Sequence, residues 1–138
     1  MKQIVLASIV IFFVTGFIAC SSSKNAATGP YVNSFYKKLK KELPDAKISK
    51  SGDTVRVIYP ELAMFDFGKD EIKQEALPSF KRFAFVLQKY DRINFIINGH
   101  ADSIGSDGVN KPLSESRAVS TRQLMLDNGI SANRMRTN

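Results

Sequence analysis

Apolar and polar residues alternate along the chain in patterns that predict a small set of helices and strands. Between residues 31 and 43 the apolar positions recur at helical spacing, and Pro44 ends the pattern. Residues 47–50 and 54–59 flank the turn-like triplet Ser51-Gly52-Asp53, which indicates a β-hairpin. Val55, Val57 and Tyr59 of its second strand share one face, so that face is expected to be apolar.

A long amphipathic helix is expected next. Its apolar stripe consists of Ile72, Ala76, Phe80, Phe83, Ala84 and Leu87. Pro78 is predicted to open the main helical stretch at its first position, after a looser turn. In the preceding segment, 64–72, Phe65 and Phe67 are expected to return to the core. Core packing explains this aromatic stripe better than a cofactor site does.

The run 93–97 is short and apolar on both faces, which is typical of a central strand covered on both sides. A second helix is expected after Pro112, with Ser114 as its N-cap. Gly129 is predicted to adopt the left-handed conformation at the C-terminal end of that helix, with Ile130 touching Met125. This assignment places Arg117 in the first helical turn.

The order of these elements predicts an α/β (α+β) sandwich with a small mixed sheet and helices layered against it. A strand, a crossover helix and a second strand are expected to form a parallel pair. Loops that follow the carboxyl ends of such strands are common ligand sites. The stretch 98–118 is a loop of this kind followed by the start of a helix.

Opposite charges in this stretch suit a small zwitterion. The carboxylate of Asp102 is a partner for an ammonium group, while Arg117 and first-turn amides are partners for a carboxylate. Charge alone leaves several ligands open. His100 is interpreted as a structural loop histidine.

Catalysis and metal binding have weaker support. The serines near His100 and Asp102 lack the G-x-S-x-G pattern of a nucleophile elbow. His100 and Asp102 make two possible metal ligands, and the predicted domain contains no second His or Cys to complete a zinc site. We therefore expect no enzyme, no metal and no cofactor.

The N-terminus has the features of an export signal. Lys2 precedes an uncharged apolar run over residues 4–13, and Cys20 is the only cysteine of the chain. Ala19-Cys20-Ser21 resembles the lipobox of bacterial lipoproteins, which implies a signal peptide over 1–19 and lipidation of Cys20, for example with palmitate. A free thiol is the alternative. Ser21 after the cysteine implies sorting to the outer membrane, and residues 20–30 are predicted to form a flexible tether.

The excess positive charge that gives the chain its net charge of +7 is concentrated in one region of the sequence. The lysines at 37, 38, 40, 41, 47 and 50 crowd one region, so nucleic-acid binding is not inferred. Two interpretations of the basic helical segment 31–46 remain. It lies on anionic lipid or acidic envelope polymers, or it packs its apolar stripe on the domain, which we favour.

From residue 47 onward the chain resembles the OmpA-like peptidoglycan-binding domain. Phe65-Asp66-Phe67 with Ile72 matches the opening signature of that family, and Gly129-Ile130 with Arg134 matches the piece after the second helix. The central signature is matched by Gly99, His100, Asp102, Gly105, Ser106, Asn110, Leu113, Ser114, Arg117 and Ala118.

The resemblance implies a protein that binds the meso-diaminopimelate of peptidoglycan stem peptides without covalent attachment. Asp102 would hold the ligand's ammonium and Arg117 its carboxylate. Asn110 and Leu113 would line the pocket, and backbone groups near Ala101 and Ser103 would add hydrogen bonds.

A lipid-anchored member of this kind tethers the outer membrane to the cell wall from the periplasmic side. The alternative is an envelope scaffold that binds proteins and has degenerate wall binding. Family members continue with a further helix and strand, so the domain over 47–138 is expected to be incomplete at its C-terminal side.

Overall fold

The computed structural model describes residues 29–101 and 107–138. The predicted signal peptide, Cys20, Asp102 and Ser103 lie outside these residues. The elements are the helices α1 Gly29–Glu42, α2 Glu61–Met64, α3 Leu77–Lys89 and α4 Asp107–Asp127, and the strands β1 Lys47–Ser51, β2 Thr54–Ile58, β3 Phe95–Ile97 and β4 Met135–Thr137. Short 3₁₀ turns, Gln74–Ala76 and Ala132–Arg134, precede α3 and β4. No helix in this part of the chain is long and apolar enough to cross a membrane.

Helix α1 packs against α3 and the hairpin. Val32, Phe35 and Leu39 of α1 are buried, and Leu43 is buried just after the helix ends. The apolar stripe is therefore used inside the fold, as the second interpretation of this segment predicts. The tether was expected to reach residue 30, but the helix already begins at Gly29.

The hairpin forms where the sequence predicts it. Strands β1 and β2 are antiparallel, and Ser51 pairs with Thr54 across a two-residue turn in which Gly52 has a φ of 55°. Glycine adopts this left-handed conformation without a steric penalty. Val55 and Val57 of β2 face the core, whereas Ile58 is exposed.

Helix α3 supplies much of the core through Phe80, Ala84 and Leu87. Pro78 lies one position later than predicted, because the helix begins at Leu77. Proline lacks a backbone N–H, but the N–H groups of a first helical turn have no acceptor within the helix, so the helix tolerates Pro78 there.

The expectation for Phe67 was wrong, since this side chain is 73% exposed. Phe65 is buried and forms a β-bridge with Ile72. The residues between them make an outward turn, in which the amide of Lys69 donates to the carbonyl of Asp66 at 3.0 Å and Gly68 has a φ of 68°. The ring of Phe67 consequently points away from the core.

Strands β3 and β4 are parallel, with α4 as the connection between them. The parallel pair predicted from the sequence was β2 with β3 across helix α3, and that pairing was wrong within the described residues; β4 was not predicted. The prediction that β3 is covered on both sides was wrong, because Ile96 is 61% exposed. Within the described ranges β3 pairs only with β4, and β1 pairs only with β2. In place of the single mixed sheet that the sequence predicts, the described residues form two separate two-stranded sheets. A groove of about 1030 Å³ is lined by residues of both β2 and β3. The α+β class is confirmed.

Helix α4 differs from its predicted start. It already includes Asp107, and Pro112 lies inside it. Ser114 is not an N-cap, since its Oγ donates to the carbonyl of Lys111 at 2.8 Å within the helix. A proline interrupts one helical hydrogen bond, but its φ is helical, so the helix continues through it. Arg117 therefore lies in the body of the helix, and the proposed first-turn amides do not exist at this position.

The C-terminal end of α4 is as predicted. Gly129 has a φ of 82°, its amide donates to Leu126 at 2.9 Å, and the amide of Ile130 donates to Met125 at 3.1 Å. These two bonds form a Schellman motif, which satisfies carbonyls at the helix end. Met125 and Ile130 are both buried.

Candidate binding site

The end of β3 lies directly against α4. A Cβ atom built on Gly99 would overlap the carbonyl oxygen of Ser114 and lie 3.2 Å from the amide nitrogen of Ala118. Only glycine permits this approach of strand end and helix. Together they bound an open cleft of about 420 Å³, lined by Gly99, His100, Ala101, Asn110, Lys111 and Ser114.

Several predicted site residues meet here. Ala101 and Asn110 are half-buried in the cleft wall. Leu113 is half-buried on the same helix but does not line the cleft. Asp102 directly follows Ala101 in the chain, and its predicted role and that of Ser103 stay predictions.

Lys111 belongs to the cleft but was missed from the sequence. The misplaced helix start hid it, because residues before Pro112 were assigned to a loop. In the helix that the structure shows, Lys111 and Ser114 are three positions apart and share a face. That spacing would have found Lys111 if the helix had been extended.

Arg117 lies in the interior, with only 1% of its surface exposed. Its Nε donates to the carbonyl of Lys69 at 2.8 Å, and its Nη1 donates to the carbonyl of His100 at 2.8 Å. The same Nη1 donates to the Glu61 carboxylate, which forms a salt bridge with it. The guanidinium also lies over the Phe65 ring, 4.9 Å from its centroid.

These contacts make Arg117 a junction between α2, the 65–72 turn and the end of β3. Charge-assisted hydrogen bonds of this kind are stronger than neutral ones. In the structure the carboxylate of Glu61 binds the guanidinium of Arg117. The family resemblance assigns the same guanidinium to a carboxylate of the ligand. The ligand role of Arg117 stays a prediction. Glu61 was not foreseen, since it is remote in sequence and carries no local signal of this pairing.

Arg134 supports the other end of β3. Its guanidinium donates to the carbonyls of Leu87 at 3.0 Å, Tyr90 at 2.8 Å and Ile93 at 2.9 Å. Burial lowers the pKa of Arg134 from its ordinary value. The three bonds fix the end of α3 and the approach to β3, so both ends of this strand are held by an arginine.

Comparisons with known proteins agree with this architecture. The chain is 36% identical over 73 residues to "Peptidoglycan-associated lipoprotein" of Brucella melitensis, covering 53% of this chain and 44% of that protein. It is 38% identical over 81 residues to "Photosystem I P700 chlorophyll a apoprotein A2" of Gloeobacter violaceus, covering 59% of this chain and 9% of that one. The chain thus spans less than half the length of these curated relatives.

A solved structure shows the same fold. The crystal structure of a "putative MotB like protein" from Desulfovibrio vulgaris superposes with a TM-score of 0.68 at 14% identity, over 78% of this chain and 75% of that one. The model of the OmpA family matches residues 64–138, which include the 65–72 turn, the cleft and both strands of the second sheet. Because that match covers more than half of the sequence, the chain belongs to the OmpA family.

Proposed function

We propose that this protein binds peptidoglycan without covalent attachment, and that the cleft at the end of β3 receives the meso-diaminopimelate of the peptide stem. The observation that carries the proposal is the family match over residues 64–138, which contains the whole cleft. The name of the Brucella relative, a peptidoglycan-associated lipoprotein, points to the same polymer.

The chemistry of the ligand suits this region of the chain. Diaminopimelate offers an ammonium group and a carboxylate at its free end. Asp102 is the proposed partner of the ammonium group, and the Asn110 side chain with backbone groups near Ala101 and Ser103 supplies hydrogen bonds. Two cationic side chains lie in this region. Arg117 donates a hydrogen bond to the carbonyl of His100, and Lys111 lines the cleft itself.

The expected affinity is that of a tether. A hydrogen bond to a charged group contributes about 1.5 to 3 kcal/mol net, so a clamp with two charged ends gives weak to moderate binding. A protein held beside a dense polymer rebinds at high effective concentration. Modest affinity in each site then gives lasting attachment, and no catalysis or cofactor is required.

The second part of the proposal is a lipid anchor on Cys20 that holds the protein at the outer membrane with its domain in the periplasm. Export and lipidation are supported by the apolar run over 4–13 and by Ala19-Cys20-Ser21. Replacing Cys20→Ala should abolish incorporation of labelled palmitate and release the protein from the membrane fraction. Unchanged labelling would refute the anchor.

Co-sedimentation with purified sacculi tests wall binding. The full chain should sediment with diaminopimelate-type sacculi, and Asp102→Asn should lose most of that binding. Sacculi with lysine in place of diaminopimelate lack the distal carboxylate and should bind more weakly. Failure of the unmodified chain to sediment would contradict the proposal and favour an envelope scaffold that binds proteins.

A further inference from the structure

The outward side of α1 carries three lysines that the packing of the domain does not use. Lys37, Lys40 and Lys41 are exposed. Their spacings of three and four residues place them on one side of the helix. Val32 and Leu39 lie on the opposite side and are buried. The three lysines form a lysine face that is turned away from the core.

The acidic residues near the lysine face are already paired. Glu42 and Asp45 are the acids closest to it in the sequence. Glu42 accepts a hydrogen bond from Lys38 at 2.8 Å, and Asp45 accepts one from Arg82 at 2.9 Å. Among the side chains that the structure describes, no carboxylate forms a salt bridge with the lysine face. Its positive charges are therefore available to an anionic partner outside the domain.

Only a short length of chain separates the lysine face from the predicted lipid anchor. Helix α1 begins at Gly29, nine positions after Cys20. A fully extended chain spans at most about 3.3 to 3.6 Å per residue, so this segment reaches about 30 Å at most. With Cys20 in a bilayer, α1 begins within that distance of the membrane. The cleft at the end of β3 contains no residue of α1, so a membrane contact of the lysine face uses none of the cleft residues.

Phospholipid headgroups with a net negative charge fit this surface. Each lysine close to an anionic membrane surface strengthens adsorption roughly fivefold. Insertion of α1 into the bilayer is not expected, because the apolar side of the helix is already buried in the domain. A lysine cluster beside a lipid anchor supplies a second, electrostatic attachment to the same membrane.

We infer that the lysine face of α1 lies on the anionic phospholipid headgroups of the membrane that holds Cys20, as an electrostatic contact without insertion. This inference rests on the proposed lipid anchor for the identity of the membrane. It implies that the domain is held close to the bilayer with α1 facing the headgroups.

Co-sedimentation with vesicles tests the contact. Every protein is the full chain with Cys20→Ala, so that no lipid is attached and the outcome does not depend on lipidation. The vesicles consist of phosphatidylcholine alone, or of phosphatidylcholine and phosphatidylglycerol in equal parts. The ratio of the two partition coefficients is measured, because contributions from apolar segments cancel in it. One variant combines Lys37→Gln, Lys40→Gln and Lys41→Gln.

A matched control removes the same charge elsewhere. It combines replacements at three exposed lysines outside α1, which are Lys69→Gln, Lys81→Gln and Lys89→Gln. A further variant replaces the three residues of the lysine face by arginine, which keeps the charge.

The Cys20→Ala chain should prefer the anionic vesicles. The glutamine variant of the lysine face should lose about a hundredfold of that preference, the product of three fivefold steps. The control and the arginine variant should keep most of it, and high salt should abolish it in every protein. Equal losses in the glutamine variant and the control, or no preference for anionic vesicles at all, would overturn the inference. Absence of palmitate from Cys20 in the unmodified chain would instead refute the proposed anchor, whatever the vesicles show.

Discussion

Gly99 and Ser114 are in backbone contact, so that no side chain fits between the end of β3 and helix α4. The carbonyl of Ser114 occupies the place where a Cβ on residue 99 would lie, and the amide of Ala118 is 3.2 Å from the same point. Both neighbours belong to a helical backbone, which cannot rotate away as a side chain can. This contact therefore fixes how closely the chain after β3 approaches α4.

Gly99→Ala should destabilise the fold and weaken ligand binding together. The added methyl group must push β3 away from α4, and overpacking of this kind costs about 1 to 3 kcal/mol. Urea denaturation followed by circular dichroism measures the loss. Gly29→Ala is the control, since a Cβ at Gly29 meets its nearest atom, on Asp53, at 3.8 Å. Equal stability of the two variants would refute the contact.

The losses of stability on removing Arg117 and on removing Glu61 should not be additive. Arg117→Leu leaves a mostly buried carboxylate without its cation, and Glu61→Leu leaves a buried guanidinium without its anion, each at about 3 to 5 kcal/mol. The double variant should be less destabilised than the sum of the two. The free energies of unfolding of all four proteins form a double-mutant cycle, and additive values would show that the pair contributes no coupling.

Arg134→Ala should loosen the start of β3. Three carbonyls, those of Leu87, Tyr90 and Ile93, lose their donor, and unpaired polar groups of this kind cost about 1 to 3 kcal/mol each when they stay buried. Hydrogen exchange should become faster in residues 90–97. Arg136→Ala, at an exposed position of β4, is the control and should leave exchange unchanged.

Sequence reasoning was reliable where short-range chemistry decides the structure. The turn at Gly52 and the Schellman motif at Gly129 both depend on a left-handed residue, which glycine signals locally. The part of the predicted stripe that lies in α3, from Phe80 to Leu87, follows from periodicity within one helix, whereas Ile72 lies before the helix in a β-bridge with Phe65. None of these features needs knowledge of distant residues.

Features that depend on tertiary context were missed. Ser114 and Pro112 carry the local signals of a helix start, yet the helix continues through both. The run around Ile96 is apolar on both faces, but the number of faces covered depends on other elements. Glu61 meets Arg117 only because the tertiary fold brings the start of α2 to the middle of α4. The structure brings Ala101 and Asn110 of the predicted site into one cleft, while the surroundings of Arg117 depend on residues that are distant in sequence.

Tyr59 should make stability fall at alkaline pH. Burial raises the pKa of its hydroxyl above the ordinary value of about 10, so the folded protein holds this proton more tightly than the unfolded chain does. The contribution of Tyr59 to the free energy of unfolding is complete below a pH of about 10. It is lost as the pH rises through the folded-state pKa, because the unfolded chain ionises first.

Tyr59→Phe separates this effect from other titrations. The variant loses the hydrogen bond to Ser79, 3.2 Å between the oxygens, but keeps a ring to stack on Phe80 at 5.1 Å. It should be less stable by about 0.5 to 1.5 kcal/mol near neutral pH. Urea titrations from about pH 8 to about pH 11 should show this deficit shrinking as the pH rises. A deficit that stays constant over that range would show that the ionisation of Tyr59 does not differ between the folded and unfolded states.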